Sequence, residues 1–124
     1  MKKIGVYFMQ GIYFINDRIS LNGQSKEESI AFQEQSLKNF INEQKIQVVK
    51  FNPYQLNDYY TIPHALLYDL KKEKVHIDCF LYYSSQVIED FIYSYPAKWL
   101  ILKSFFKEVI SVEKQNDLNI REVV

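Results

Sequence analysis

Cysteine, glycine, proline and histidine are scarce in this chain, and net charge is absent. The one cysteine, Cys79, excludes an intramolecular disulfide and suits a reducing compartment. Three glycines, Gly5, Gly11 and Gly23, are too few and too scattered to cradle a phosphate, and no nucleotide fingerprint occurs. Lys plus Arg equals Asp plus Glu, 15 each, which argues against a chain built mainly to neutralise phosphates. No apolar run reaches the length of a bilayer span. The start, "MKKIGVYFMQG", lacks the apolar core and cleavage site of a signal peptide. The expectation is a cytoplasmic protein without membrane association.

What the chain has is apolar bulk: 48% hydrophobic residues, with ten tyrosines and nine phenylalanines among 124 positions. That length predicts a single domain over 1–124, burying roughly two-thirds of its unfolded surface. "KIGVYFM" (3–9) reads as a first strand, and residues 10–23 as its continuation or a hairpin arm before the Asn22-Gly23 turn. Ser25 and Glu28 form a capping box, and Ile30, Leu37, Phe40 and Ile41 recur at helical spacing, predicting a helix over 26–44. "IQVVKF" (46–51) is a second strand, followed by a polar loop over 53–62. Thr61 and Pro63 announce a helix whose solvated end is "KKEK" (71–74).

"VHIDCFLYY" (75–83) has apolar residues on both faces, as a central parallel strand requires. Ser84 or Ser85 is expected to cap the next helix, with Val87, Ile88, Phe91 and Ile92 as its stripe. Pro96 restarts a helix carrying Trp99, Leu102 and Phe106; "VISVE" (109–113) is the last strand, and the tail 114–124 is ambiguous. The order β-α-β-α-β-α-α-β predicts an α/β fold with a small, open, mostly parallel four-stranded sheet and helices on both faces.

"LYDLKKEKVHIDCFLYY" and "ESIAFQEQSLKNFINEQKIQVVKF" resemble segments of the catalytic domain of serine recombinases, the resolvase and invertase family. The resemblance covers about residues 3 to 113. It implies a nucleophilic serine after strand one, in a "Y-x-R-x-S" setting, and arginines after the central strand, in "D-R-L-x-R". Guanidinium groups neutralise the charge that builds during attack on a phosphodiester. Counted from Tyr7, the first motif puts Met9 and Gly11 at the arginine and serine positions. Counted back from Gln33 or Gln35, it puts Arg18 and Ser20 there, after an insertion. The second motif falls on Ser85–Glu89, so Gln86 and Glu89 stand where arginines would be. No room is expected after the fourth strand for the family's long dimerising helix and DNA-binding region. The resemblance therefore implies a degenerate domain, a pseudoenzyme rather than a recombinase.

Ser20 and Arg18 are the only catalytic candidates, and a serine before Asn-Gly is more readily a turn residue. Ser84 and Ser85 read as helix caps. His76 and Asp78 share a strand with no further ligands at metal spacing, and His64 reads as a surface residue, so neither metal nor cofactor is expected. The tyrosine pairs 59–60 and 82–83, with Tyr93 and Tyr95, read as packing or contact surface. The helix from Pro96 is apolar nearly all round, more than one buried face needs. This makes Phe91, Tyr93, Trp99, Leu100 and Phe105 a candidate interface with a protein partner or in a homodimer. The expected function is a non-catalytic, resolvase-like regulator or adaptor. Two alternatives stand: residual DNA binding through Arg18, Ser20 and the lysines at 71, 72 and 74, and a small α/β enzyme with a pocket near Gly11 and Ser84.

Overall fold

The computed structural model describes residues 8–115. Four strands, β1 (Gln10–Tyr13), β2 (Gln47–Val48), β3 (Ile77–Tyr82) and β4 (Phe106–Ser111), form one open, all-parallel sheet in the order β2-β1-β3-β4. Four helices connect them: α1 (Lys26–Gln44), α2 (Pro63–Glu73), α3 (Ser85–Ser94) and α4 (Pro96–Lys103). The α/β class, the parallel sheet and the element order are those the sequence predicts.

Local chemistry sets the helix ends. At α1 the Glu28 N–H donates to Ser25 Oγ (3.1 Å) while the Glu28 carboxylate accepts the Ser25 N–H (2.8 Å), the reciprocal capping box. Pro63 and Pro96 take the first position of α2 and α4, where a missing N–H costs nothing. Ser84 takes the N-cap position of α3 as expected, though its side chain makes no capping bond. Thr61 departs from expectation: Ile62 is the cap residue of α2. Lys45 and Lys74 close α1 and α2 in the left-handed region.

Two apolar clusters sandwich the sheet. On one face Tyr13, Cys79, Leu81 and Ile110 pack under Leu37 and Ile41 of α1. On the other, Ile12, Phe14 and Phe80 meet Leu66 and Leu70 of α2, Val87, Ile88 and Phe91 of α3, and Trp99 and Leu102 of α4. β3 lies between β1 and β4, and five of its six residues are buried. This is the two-sided burial its composition demands.

The central strand is trimmed from the expected 75–83 to Ile77–Tyr82, and the other three strands differ from expectation more, each for a tertiary reason. The first described strand is Gln10–Tyr13 rather than 3–9; residues 3–7 lie outside the described residues, and 8–9 carry no strand. Beyond β1 the chain runs on through Phe14, which forms an isolated bridge with Tyr60, and Ile15, both buried, so the most apolar run of the segment fills the sheet centre. β2 is only two residues because the chain returns to the same edge of β1. Tyr60 N–H donates to the Tyr13 carbonyl (3.0 Å) and Ile15 N–H to the Tyr60 carbonyl (2.9 Å). β4 starts at Phe106, not 109, and the turn after it is helical over 112–115. Phe106 reaches the same cluster as Trp99 from the strand, its ring 5.2 Å from that of Phe80. Its spacing from Trp99 and Leu102 imitated a helix face.

Candidate functional site at the sheet's switch point

From β1 the chain crosses to β2 on one side, then returns past β1 to place β3 on the other. Such a reversal opens a crevice beyond the carboxyl ends of the two inner strands, where ligands of open α/β sheets bind. Here the crevice is a cleft of about 550 Å³, within the ordinary size of a small-molecule site. Phe14, Val87, Ile88 and Phe91 give it an apolar floor. Arg18, His64, Asp90 and Ser94 supply its polar groups.

A buried polar pin fixes the cleft's inner wall. Asn16, the second residue beyond the Phe14 bridge, is 7% exposed, and Gln33 of α1 is fully buried. The Asn16 N–H donates to Gln33 Oε1 (3.0 Å), and Gln33 Nε2 donates to the Asn16 carbonyl (2.9 Å) and to Ser29 Oγ (3.2 Å). The Asn16 side chain in turn donates to the Val87 carbonyl (2.9 Å) and accepts the Arg18 N–H (2.9 Å). One asparagine thus ties the end of β1 to α1 and to the start of α3. With every group partnered, the wall is rigid.

Arg18 lines the cleft, and Ser20 lies outside that lining. The Arg18 guanidinium stands 3.8 Å from Asp17 and donates weakly to the Thr61 carbonyl (3.5 Å). Ser20 is exposed and precedes a 3-10 turn over Leu21–Gly23, where Asn22 (φ 51°) and Gly23 (φ 76°) turn the chain. It occupies a turn position. Gly11 is inside β1, so a register that puts it after the strand does not hold. A Cβ there would come within 2.8 Å of Ile46 Cγ2 and 2.9 Å of Cys79 Sγ, which is a packing reason for glycine. Neither Gly11 nor Ser84 lines the cleft. Gln86 is exposed and Glu89 half-buried on α3, and both lie outside the cleft lining.

His64 is exposed in the first turn of α2, with its ring edge-on to Phe91 (5.1 Å) and Tyr95 (4.5 Å). Its neighbours make it a cleft residue rather than a bare surface one. His76 lies 6.1 Å from the Phe105 ring, while Asp78 accepts the Gln10 N–H (2.7 Å) and faces Lys107 (3.3 Å). Among the described residues no group of three His, Cys, Asp or Glu side chains is arranged to hold a metal ion. Burial, with Glu108 and Asp78 adding to it, pushes the Cys79 thiol up to about 12. A thiol so protonated is a packing group, not a nucleophile.

Of the residues expected at an interface, Phe91 and Trp99 are buried in the core, and Phe105 is half-buried against it. Tyr93 (78% exposed) and Leu100 (63%) face outward, joined by Ile101 (42%). Tyr60 and Tyr82 are core residues, so the tyrosine pairs are largely packing. The sequence reading missed Asn16, Gln33, Asp90 and Ser94. A signal for Gln33 existed: Ser29, Gln33, Leu37 and Ile41 recur every fourth residue, and all four are the buried face of α1. No described helix is long and apolar enough to cross a membrane. Compared with known proteins, the chain matches no family model, no curated protein and no solved structure.

Proposed function

We propose that this protein is a binding domain, working through protein contacts as a small regulator or adaptor, and not by cutting or rejoining DNA. One observation carries the reading. Helix α4 buries Trp99 and Leu102 yet leaves Leu100 and Ile101 exposed, with Tyr93 exposed on α3. An apolar face of that kind on a small protein marks a contact site. The resemblance to serine recombinases adds an origin: a degenerate relative that kept the fold and lost the chemistry. Arg18 and Ser20 do not converge on one cleft, and Gln86 and Glu89 offer no positive charge to a phosphodiester. A carboxylate beside a phosphate repels it. We take the compartment to be the cytoplasm, on the strength of a single buried thiol and no disulfide.

Site-specific photo-crosslinking tests this. A benzoylphenylalanine at position 100 is expected to trap a discrete protein adduct in native cells, while one at Tyr54, which is 90% exposed in the loop between β2 and α2, is not. Supercoiled plasmid is expected to remain intact, with no covalent protein–DNA adduct. An adduct lost in Ser20→Ala would overturn the reading. The cleft of about 550 Å³ favours a second reading, binding of a small apolar metabolite by its floor. A ligand-induced rise in melting temperature, abolished by Ser94→Trp, would support it.

A further inference from the structure

The exposed side of α4 carries a pattern as well as apolar area. At 3.6 residues per turn, Ala97, Leu100, Ile101 and Ser104 share one face, opposite the buried Trp99 and Leu102. Lys98 and Lys103 fall on the two flanks of that face. Each ammonium is held against an aromatic ring, Lys98 Nζ 5.2 Å from the Tyr95 ring centre and Lys103 Nζ 5.5 Å from that of Trp99. Both lysines therefore border the apolar strip instead of sweeping across it.

We infer that this strip docks an acidic amphipathic helix of another protein. The inference rests on the contact reading above and names the partner's chemistry. Apolar side chains spaced three and four residues apart on the incoming helix seat against Leu100 and Ile101. Carboxylates on either side of them meet Lys98 and Lys103. The same charges disfavour a second copy of this chain. Two α4 helices packed antiparallel about the midpoint between Leu100 and Ile101 would bring Lys98 beside Lys98 of the other copy along one flank of the contact and Lys103 beside Lys103 along the other. Like charges so placed repel.

The test uses two labelled helical peptides, one with glutamates flanking a leucine strip and one with lysines in their place. Binding is read by anisotropy and by the fluorescence of Trp99, the only tryptophan in the chain. The wild type is expected to bind the acidic peptide saturably, more weakly as salt rises, and to ignore the basic one. Lys98→Glu/Lys103→Glu should weaken acidic-peptide binding by about tenfold or more and gain affinity for the basic peptide. Leu100→Ser/Ile101→Ser should lose acidic-peptide binding and gain none for the basic peptide. Equal binding of the acidic peptide to the wild type and the charge-reversed variant overturns the inference, as does no binding. Self-association of the wild type that Leu100→Glu abolishes also overturns it, since the occupant is then a second copy; the contact reading survives. If the acidic peptide fails to bind and position 100 traps no adduct in cells, both fall.

Discussion

Replacing Gln33 with leucine tests the polar pin behind the cleft. The side chain is fully buried and makes three hydrogen bonds, two of them to the backbone N–H and carbonyl of Asn16, itself 7% exposed. Leucine fills similar volume, so the cavity term is small and the change isolates the polar contribution. It strands the Asn16 N–H and carbonyl away from water, at about 1–3 kcal/mol each. Leucine returns part of this, since it carries no amide to desolvate. A net loss of about 2–4 kcal/mol follows, a large fraction of the stability of a small domain. In a domain of this size that lowers the melting temperature by about 10 °C. Urea unfolding of both proteins with an unchanged m-value is the assay. Gln33→Glu sharpens it. The buried carboxyl of that variant has its folded pKa raised, so its stability relative to the wild type should fall as pH rises above the ordinary glutamate value. A Gln33→Leu cost below about 1 kcal/mol would refute the reasoning, because buried backbone groups left unpartnered cannot be that cheap.

Gly11→Ala should destabilise by about 1–3 kcal/mol through overpacking, since the new Cβ would press on Ile46 Cγ2 at 2.8 Å and Cys79 Sγ at 2.9 Å. Adding Cys79→Ala should recover part of that loss, and a strictly additive double mutant would place the clash elsewhere. Stability should also fall in alkali. Burial raises Tyr13 and Cys79 to about 12 and lifts Tyr60 and Tyr82 as well, Tyr60 further through its bond to Asp69. The unfolded chain gives up these protons first, at about pH 9 to 10. Stability is therefore unaffected by these groups below that range and declines as pH climbs towards 12. Thermal melts between pH 7 and 11 would show it, and a flat profile would mean these groups are solvated.

How far the sequence alone could reach depends on the range of the interactions involved. Signals contained within a few residues were legible. The Ser25–Glu28 box, Pro63, Pro96 and the Asn22-Gly23 turn act through neighbouring backbone groups, so α1 was placed from Lys26 to Gln44 and the helix order was right. The two-sided apolar run around Cys79 likewise marked β3 as interior, because burial on both faces leaves no room for alternation. Strand ends followed another rule. β2 stops at Val48 because Tyr60, twelve residues further on, takes the next place along β1. Phe106 joins the Trp99 cluster from a strand, a contact that helical spacing mimics. The cleft was beyond the sequence for the same reason. Arg18, His64 and Asp90 come from three segments that meet only when the strand order reverses at β1, and Ser20, two residues from Arg18, lies outside the cleft lining, at the start of the 3-10 turn. Composition decides which residues must be buried and backbone chemistry where helices begin; which distant segments share an edge or a cleft is decided by the closing of the sheet.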